Sequence, residues 1–346
     1  MARILYGVMG DARGHLSRAL TVAQQMPHHE FLFLGGGLVH DLKLKGYTVE
    51  DIPVPGTFYK NNRIDVPFTV VNALRVFAGK SSVIKRIGAI IDSFDPDLIL
   101  TDYEYFTPLA ARSKGRVCVS LDHQHIMTHC LYQAPSMERL SRAMTEFSVR
   151  RLYSNANYFL IVSFFDLPVI DRQTTQVLPA IVRNAVKDYA PVEADHALVY
   201  LTSPTFHKLL PILEQINTRF LIYGFGDLQS RGNLVFRPFS TEGFLEDLAS
   251  CRYAIVNGGH NVISEALYLG KPIFSFPIRQ VYEQFMNAYF LAQSMYGDFS
   301  IGEPSRNVLE TFESRLDVFK QGIKKNFKIG NEIVTGAIEQ FIGRSM

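Results

Sequence analysis

The stretch Ile255–Pro272 constrains the fold of this chain more than any other. A short apolar run ends in Asn257–Gly259, and a helix-forming run that begins at His260 follows at once. Glycines allow positive φ and close backbone approach, so this pattern predicts a strand, a tight turn and a helix N-terminus. Unpaired N–H groups and the positive end of the helix dipole favour an anion there. The stretch therefore predicts one unit of an α/β sheet with an anion site at its edge.

Further polar residues follow this turn. Glu265 lies four residues after Asn261, so both side chains fall on one helix face about a turn apart. A carboxylate in that position suits a pair of sugar hydroxyls. The pair Glu283 and Gln284 opens a second helical run downstream. A purely structural strand–turn–helix unit is the alternative interpretation of the same residues.

The whole pattern, Asn-Gly-Gly-His-Asn-Val-Ile-Ser-Glu, then Gly-Lys-Pro and Glu-Gln, resembles the donor-nucleotide signature of GT-B glycosyltransferases. It is similar to that of the peptidoglycan N-acetylglucosaminyltransferase and the UDP-glucuronosyltransferase-like enzymes. Many relatives begin the motif with His, whereas this chain has Asn257, whose amide donates a hydrogen bond but carries no charge. The donor positions that the resemblance implies are Asn257, Gly258, Gly259, His260 and Asn261 for the diphosphate, Glu265 for the ribose, and Glu283 and Gln284 for the sugar.

The resemblance implies donor contacts in two further loops of the second half. One loop lies near the donor phosphates in the family, which makes Ser203 and Thr205 candidates. In relatives the backbone after a later strand reads the nucleotide base, which places Phe239 and Ser240 against the base.

A strand, a glycine-containing loop and a helix start also occur near the N-terminus. The pattern Gly-x-x-x-Gly-His-x-x-x-Arg places Gly14, His15 and Arg18 at the helix start. It is neither a Walker loop nor the dinucleotide-binding Gly-x-Gly-x-x-Gly. It resembles the first loop of the same GT-B families, where Gly-His faces the interdomain cleft and some relatives use the His as general base. We therefore predict His15 as the base, with a helix cap or surface group as the alternative.

Polar residues follow two later strands of the first half, at the expected sheet edge. Asp102 and Glu104 follow one strand, and Asp122–His125 follow the next. We predict that Asp122 orients His15 and raises its basicity. A metal site is an alternative for the histidines, although no distant Cys/His cluster completes a tetrahedral set. The predicted acceptor or cleft residues are Gly14, Arg18, Asp102, Glu104, His123 and His125.

Residues 68–94 form an apolar and basic stretch that contains Arg75, Lys80, Lys85 and Arg86. Helices packed on the sheet explain the apolar positions. The second interpretation is an apolar–basic surface that meets anionic lipid head groups, which would be a peripheral membrane contact.

Length and composition limit the class of protein. The 346 residues, 47% of them hydrophobic, suit two domains of middling size. A net charge of +2 is too small to indicate nucleic-acid binding. The 3 cysteines lie far apart without CxxC spacing, which favours a reducing compartment. We expect a cytoplasmic protein, because no apolar run reaches membrane-spanning length and the N-terminal strand leaves no room for a signal peptide.

The strand–helix alternation runs twice, which predicts an α/β GT-B architecture of two doubly wound, Rossmann-like parallel-sheet domains facing a cleft. The predicted acceptor domain is 1–168, joined by a terminal helix 328–346, and the donor domain is 185–327. The resemblance implies metal-independent transfer of a sugar, without a cofactor, from a UDP-sugar to an acceptor hydroxyl. A lipid-linked acceptor of the cell envelope fits the basic–apolar stretch. The alternatives are a nucleotide-sugar 2-epimerase and a non-catalytic nucleotide-sugar-binding protein.

Overall fold

The computed structural model divides the chain into two compact units. The described residues are 1–56, 59–60, 63–64, 66–133, 135–201, 206–226 and 228–345. The first unit comprises Met1–Phe58, Ile64–Ile181 and Gly330–Met346, and the second comprises Tyr59–Arg63 and Val182–Ile329. Within the described ranges, no helix combines the length and the apolar character needed to cross a membrane.

Strands and helices alternate along most of the chain. The strands are β1 (Arg3–Val8), β2 (Glu30–Gly35), β3 (Thr48–Asp51), β4 (Tyr59–Lys60), β5 (Arg63–Ile64), β6 (Leu98–Asp102), β7 (Cys118–Asp122), β8 (Tyr158–Ser163), β9 (Thr175–Pro179), β10 (His196–Tyr200), β11 (Arg219–Tyr223), β12 (Leu234–Phe236), β13 (Ala254–Val256), β14 (Ile273–Ser275) and β15 (Gly297–Phe299). The α-helices are α1 (Arg13–Gln25), α2 (Val66–Ala78), α3 (Lys80–Phe94), α4 (Phe106–Ser113), α5 (Ile126–His129), α6 (Arg139–Ser148), α7 (Asn184–Lys187), α8 (Leu210–Leu213), α9 (Thr241–Ser250), α10 (His260–Tyr268), α11 (Tyr282–Gln293), α12 (Arg306–Glu313), α13 (Leu316–Asn326) and α14 (Asn331–Ser345). Two 3₁₀ helices span Gly37–Lys45 and His207–Leu209, and a π-helix spans Val149–Tyr153.

A parallel sheet of seven strands forms the centre of the first unit, in the order β3-β2-β1-β6-β7-β8-β9. Alternate residues of β1 enter opposite cores: Ile4 and Tyr6 pack on one face and Leu5 on the other. Both faces are thus covered, which explains why the strands are nearly continuous apolar runs. The order reverses direction between β1 and β6, and ligands of such sheets bind at the carboxyl ends of the strands at this point.

A parallel sheet of six strands forms the centre of the second unit, in the order β12-β11-β10-β13-β14-β15. Its order reverses between β10 and β13. The glycine turn follows β13, so the candidate anion site lies at this reversal. Two separate strands, β4 and β5, pair with each other.

The predicted fold class is confirmed, since each unit is a doubly wound parallel sheet. The boundary between the two units, at Ile181 and Val182, lies within the stretch from Asp166 to Pro191 where the strand–helix pattern breaks. The same stretch contains the edge strand β9, whose polar residues suit a strand paired on one side only. Helix α6 begins at Arg139 and continues directly into the π-helix that ends at Tyr153.

Candidate functional site

The loop between β1 and α1 is held against the loop that follows β2. A Cβ atom on Gly10 would lie 1.8 Å from the Gly36 carbonyl oxygen, so only glycine allows this approach. The Leu38 N–H also donates to the Gly10 carbonyl (3.1 Å). Helix α1 therefore starts at a fixed place, with Gly14 and the buried His15 in its first turn.

The Asp102 carboxylate, at the end of β6, holds both His15 and Arg18. His15 Nδ1 lies 2.6 Å from Asp102 Oδ1. Arg18 donates from Nε to Oδ2 (2.7 Å) and from Nη2 to Oδ1 (2.8 Å). A contact of 2.6 Å between ring nitrogen and carboxylate requires a proton between them, so Nδ1 donates. In the neutral ring Nε2 then keeps its lone pair, as a general base needs.

The prediction that Asp122 orients His15 was wrong. Asp122 lies at the end of β7 and accepts hydrogen bonds from His125 Nδ1 (2.6 Å) and from the Ser120 hydroxyl (2.5 Å). Burial would raise the pKa of Asp122, but His125 and Ser120 outweigh it and lower that pKa. The strand order explains the difference, because β6 lies next to β1 and β7 lies one strand further away.

Glu104 and His123, two predicted cleft residues, have partners inside the first unit. The Glu104 carboxylate accepts from the Phe106 N–H (2.8 Å) and the Thr107 N–H (2.6 Å), so it caps α4. Burial raises the pKa of Glu104. The His123 Nδ1–H donates to the Val162 carbonyl (2.8 Å). These hydrogen bonds give both side chains structural roles.

Tyr103 is a neighbour of the site that the sequence analysis missed. Its φ of +53° is in the left-handed region, which is uncommon for a tyrosine. Its ring stacks on His15 (centroids 5.9 Å, interplanar 6°) and on Tyr153 (4.0 Å, 15°). A non-glycine residue with positive φ beside a catalytic candidate marks a constrained position.

The turn after β13 requires its first glycine. Gly258 has φ +152°, and a Cβ there would lie 2.7 Å from the Gln284 carbonyl oxygen. Asn287, fully buried on α11, donates from Nδ2 to the Gly258 carbonyl (3.0 Å). The following residue, Gly259, has ordinary φ and precedes α10, whose first residues are His260 and Asn261.

Two of the predicted donor residues use their side chains within the second unit. Asn257 Nδ2 donates to the Phe276 carbonyl (3.1 Å) and links the end of β13 to the segment after β14. Gln284 Oε1 accepts from the Ile278 N–H (3.0 Å). The first bond holds the turn after β13 against the segment that follows β14, and the second bond ties that segment to the start of α11. Glu283, the other residue of the acidic–Gln pair, is half-buried in the first turn of α11.

Glu265 forms a bidentate ion pair with Arg183. Arg183 donates from Nε to Oε1 (2.5 Å) and from Nη2 to Oε2 (2.7 Å) of the buried Glu265 carboxylate. Burial opposes the charge on the guanidinium, but Glu265 outweighs it and raises the pKa of Arg183. No local sequence pattern indicates this role for Arg183, because its partner lies 82 residues away along the chain.

The remaining predicted donor residues lie in loops of the second unit. The Phe239 ring is 55% exposed. The Ser240 hydroxyl accepts from the Gly243 N–H (3.3 Å) and caps α9. Ser203 and Thr205 lie outside the described residues.

Three side chains near α14 could hold a metal ion. The ligand atoms of His28, His29 and Glu339 lie within 4.8 Å of one another. The Ala2 N–H donates to His29 Nδ1 (3.0 Å), so that nitrogen carries no proton. His29 Nε2 then carries the proton and donates to Glu339 (2.8 Å). This hydrogen bond explains the cluster without a metal.

Comparison with known proteins agrees with this architecture. Residues 2–317 match the sequence model of glycosyl transferase family 1. A protein of Methanosarcina acetivorans described as an uncharacterised glycosyltransferase is 23% identical over 364 residues, which span 96% of this chain and 95% of the relative. A similarly described protein of Methanosarcina mazei is 24% identical over 368 residues, with 96% and 95% covered.

Solved structures of glycosyltransferases share the fold. MurG of Acinetobacter baumannii superimposes with a TM-score of 0.62 at 14% identity, over 98% of this chain and 100% of that one. The glycosyltransferase VinC, solved in complex with DTDP, gives a TM-score of 0.65 at 16% identity, over 99% and 100%. The chain therefore belongs to glycosyl transferase family 1, and it is a GT-B enzyme that transfers sugars.

Proposed function

We propose that this glycosyltransferase moves a sugar from a UDP-sugar to an acceptor hydroxyl without a metal. The observation that carries the proposal is the second unit's glycine turn, which leads into α10 with the buried carboxylate of Glu265 on that helix. A helix N-terminus at the strand-order reversal suits a diphosphate, and a nearby carboxylate suits a ribose. The relative VinC was solved with a nucleoside diphosphate, which supports this class of donor.

The diphosphate would bind at Asn257–Asn261. Backbone N–H groups at the start of α10 and the positive end of its dipole favour negative charge. Gly258 lets the backbone turn here without a side chain. Because charge develops on the leaving diphosphate, these fixed dipoles would stabilise the transition state in the way a metal ion does in other enzymes.

The ribose would bind to Glu265, although Arg183 already holds that carboxylate. A carboxylate offers about four acceptor positions, and the bidentate Arg183 uses two of them. The remaining positions can accept the two ribose hydroxyls. Arg183 would then fix the carboxylate before the donor arrives, which lowers the entropy cost of binding.

The uracil and the sugar would meet the residues that the family resemblance implies. Half-exposed Phe239 offers an aromatic face for the base. Glu283 and Gln284 at the start of α11 would meet the sugar, and Ser203 and Thr205 would lie near the phosphates.

The acceptor hydroxyl would lose its proton to His15 Nε2. Asp102 holds the opposite ring nitrogen, so the lone pair on Nε2 is directed away from the carboxylate. Asp122, which is bonded to His125, would act on that histidine only. General-base catalysis of this type contributes about 10²–10⁴-fold to a rate.

The surface of the first unit carries exposed apolar and basic side chains, which would suit a lipid-linked acceptor at the inner face of the membrane. Leu140, Met144 and Phe147 share one face of α6 and are 75%, 57% and 65% exposed. The exposed Arg150 and Arg151 follow on the π-helix. Exposed apolar residues also occur at helical spacing on α2: Phe68, Val71 and Leu74. Exposed apolar side chains beside arginines fit an anionic lipid surface.

Calorimetric titration of the purified protein with UDP, DTDP, GDP and ADP tests the donor site. We expect selective UDP binding, and UDP at ~100 times its Kd should stabilise the fold by about 2.7 kcal/mol. Glu265→Ala should weaken binding, whereas Glu310→Ala, at an exposed ion pair on α12, should not. The absence of binding by every nucleotide, or equal binding by both variants, would reject the donor site.

Incubation with UDP-glucose or UDP-N-acetylglucosamine separates the alternative activities. A transferase should release UDP faster when an acceptor is present, and EDTA should leave that rate unchanged. A 2-epimerase should convert the sugar without an acceptor. A binding protein should bind UDP and release no product.

A further inference from the structure

Arg18 belongs to the buried cluster around His15, and the proposed function gives it no role. Its guanidinium makes two hydrogen bonds to Asp102, and Nη2 also lies 3.3 Å from His15 Nδ1. Because Nδ1 donates to Asp102, this last contact is an approach of two donor groups. Arg18 is thus placed where its positive charge acts on both the carboxylate and the imidazole.

Arg18 and Asp102 form a neutral pair inside the first unit. Burial opposes the charge on Arg18, but Asp102 outweighs it and raises the pKa of Arg18, so the guanidinium stays charged. Asp122, bonded to His125, adds to this effect. Burial raises the pKa of Tyr6, which stays neutral, and the Tyr103 ring lies nearly parallel to the His15 ring with the centroids 5.9 Å apart.

The pairing of Arg18 with Asp102 matters because a carboxylate with no cation beside it would favour the protonated form of His15. A buried carboxylate in contact with an imidazole favours the doubly protonated, positively charged ring. That ring has no lone pair left and cannot take a proton from an acceptor. A guanidinium on the same carboxylate cancels the attraction, and its two fixed hydrogen bonds keep Oδ1 directed at Nδ1.

We propose that Arg18 is a positioning residue that acts on His15 through Asp102. Arg18 holds the carboxylate in place and neutralises its charge, so that His15 stays neutral, with its proton on Nδ1 and its lone pair on Nε2. The proposal rests on the proposed function in one respect, namely that His15 is the base. It assigns Arg18, a predicted cleft residue, to the base rather than to the acceptor.

Nitrogen NMR of the histidine side chains in ligand-free protein tests this directly. Subtraction of the His15→Gln spectrum identifies the His15 signals. In the wild type at pH 7 we expect one protonated and one unprotonated ring nitrogen. In Arg18→Met, which keeps an unbranched apolar side chain but removes the guanidinium and its charge, we expect both nitrogens to be protonated. A neutral His15 in folded Arg18→Met, or a doubly protonated His15 in the wild type, would overturn the proposal.

Two further variants keep the test valid if Arg18→Met does not fold. Arg18→Lys retains the charge and should keep His15 neutral. In Arg18→Met/Asp102→Asn the carboxylate is absent as well, so His15 should again be neutral. If neither variant behaved in this way, the charge on Arg18 would not control the imidazole.

Measurement of kcat then relates the charge state of His15 to catalysis. Arg18→Met should lose at least about tenfold in kcat at pH 7 and recover toward the wild type at higher pH, where the ring loses its extra proton. A pH-independent loss would indicate a merely structural role. Failure of the proposed function would appear separately, as full turnover in His15→Gln, and would leave the NMR result unchanged.

Discussion

His15 Nδ1 lies 2.6 Å from Asp102 Oδ1, at the reversal of strand order in the first unit. One residue comes from the first turn of α1 and the other from the last position of β6. The carboxyl ends of neighbouring parallel strands meet at one edge of the sheet, so the two segments bring the proposed base and the carboxylate bonded to it to the same place.

Replacement of His15 should remove turnover and spare donor binding. We expect His15→Gln to lower kcat by about 10²–10⁴-fold, because no group then accepts the acceptor proton. UDP affinity, measured by calorimetry, should be unchanged. His40→Gln, at an exposed histidine paired with Asp51, is the control and should keep full activity. Full turnover in His15→Gln would remove His15 from the mechanism.

Asp102→Asn should reduce turnover with little effect on UDP affinity. An asparagine can present its N–H₂ to His15 Nδ1, which would favour the tautomer with the proton on Nε2. We expect a loss in kcat of at least about tenfold, measured under saturating donor. An equal loss in Asp122→Asn, whose carboxylate serves His125, would contradict the separate roles of these carboxylates.

The two glycines of the turn should respond differently to alanine. Gly258→Ala should lower the free energy of unfolding by about 1–3 kcal/mol from backbone strain alone, and the overlap with Gln284 adds to this. Gly259→Ala should change the free energy of unfolding by no more than about 1 kcal/mol, because Gly259 has an ordinary φ and the nearest atom lies 3.8 Å from the added Cβ. Urea denaturation measures both variants, and equal stability would contradict the geometry of the turn.

The ribose role of Glu265 can be separated from its pairing with Arg183. Glu265→Gln should weaken UDP binding by about 10–100-fold, the effect of hydrogen bonds to a charged group. The same substitution should weaken the binding of 2′-deoxyuridine diphosphate less, because one hydroxyl is already absent. Calorimetry with both ligands gives the coupling energy between the Glu265 carboxylate and the ribose 2′-hydroxyl. Equal losses for the two ligands would show that Glu265 acts only through Arg183.

The fold should lose stability in acid through His129. Burial, and next the neighbouring His125, lower the pKa of His129 to about 4. Its usual pKa is about 6.5, so the unfolded chain binds a proton between about pH 6.5 and 4 that the folded chain does not. The contribution of His129 to the free energy of unfolding is fully present above about pH 6.5. It falls by up to about 3 kcal/mol as the pH drops to about 4.

Comparison of the His129→Gln variant with the wild type isolates this effect. The free energy of unfolding, measured by urea denaturation across this range, should fall less steeply in the variant. Parallel curves for wild type and His129→Gln would contradict a lowered pKa.

The sequence by itself determines those features of this protein that act over a short distance along the chain. The apolar runs, the glycine turn at Asn257–Gly259 and the start of a helix at His260 are local patterns, and each was predicted correctly. Their alternation, together with the motif that resembles the GT-B donor signature, was enough for the fold class. Local backbone preferences and the burial of apolar faces act over a few residues, so the sequence displays them directly.

The partners of the buried charges were decided only by the tertiary structure. Asp102 and Asp122 each end an apolar strand, and no local pattern shows which one faces His15 across 87 or more residues. Arg183 likewise reaches Glu265 from 82 residues away. Strand order brings these groups together, and that order depends on how whole strands and helices pack. A one-strand difference in the sheet therefore decides which carboxylate serves the proposed base.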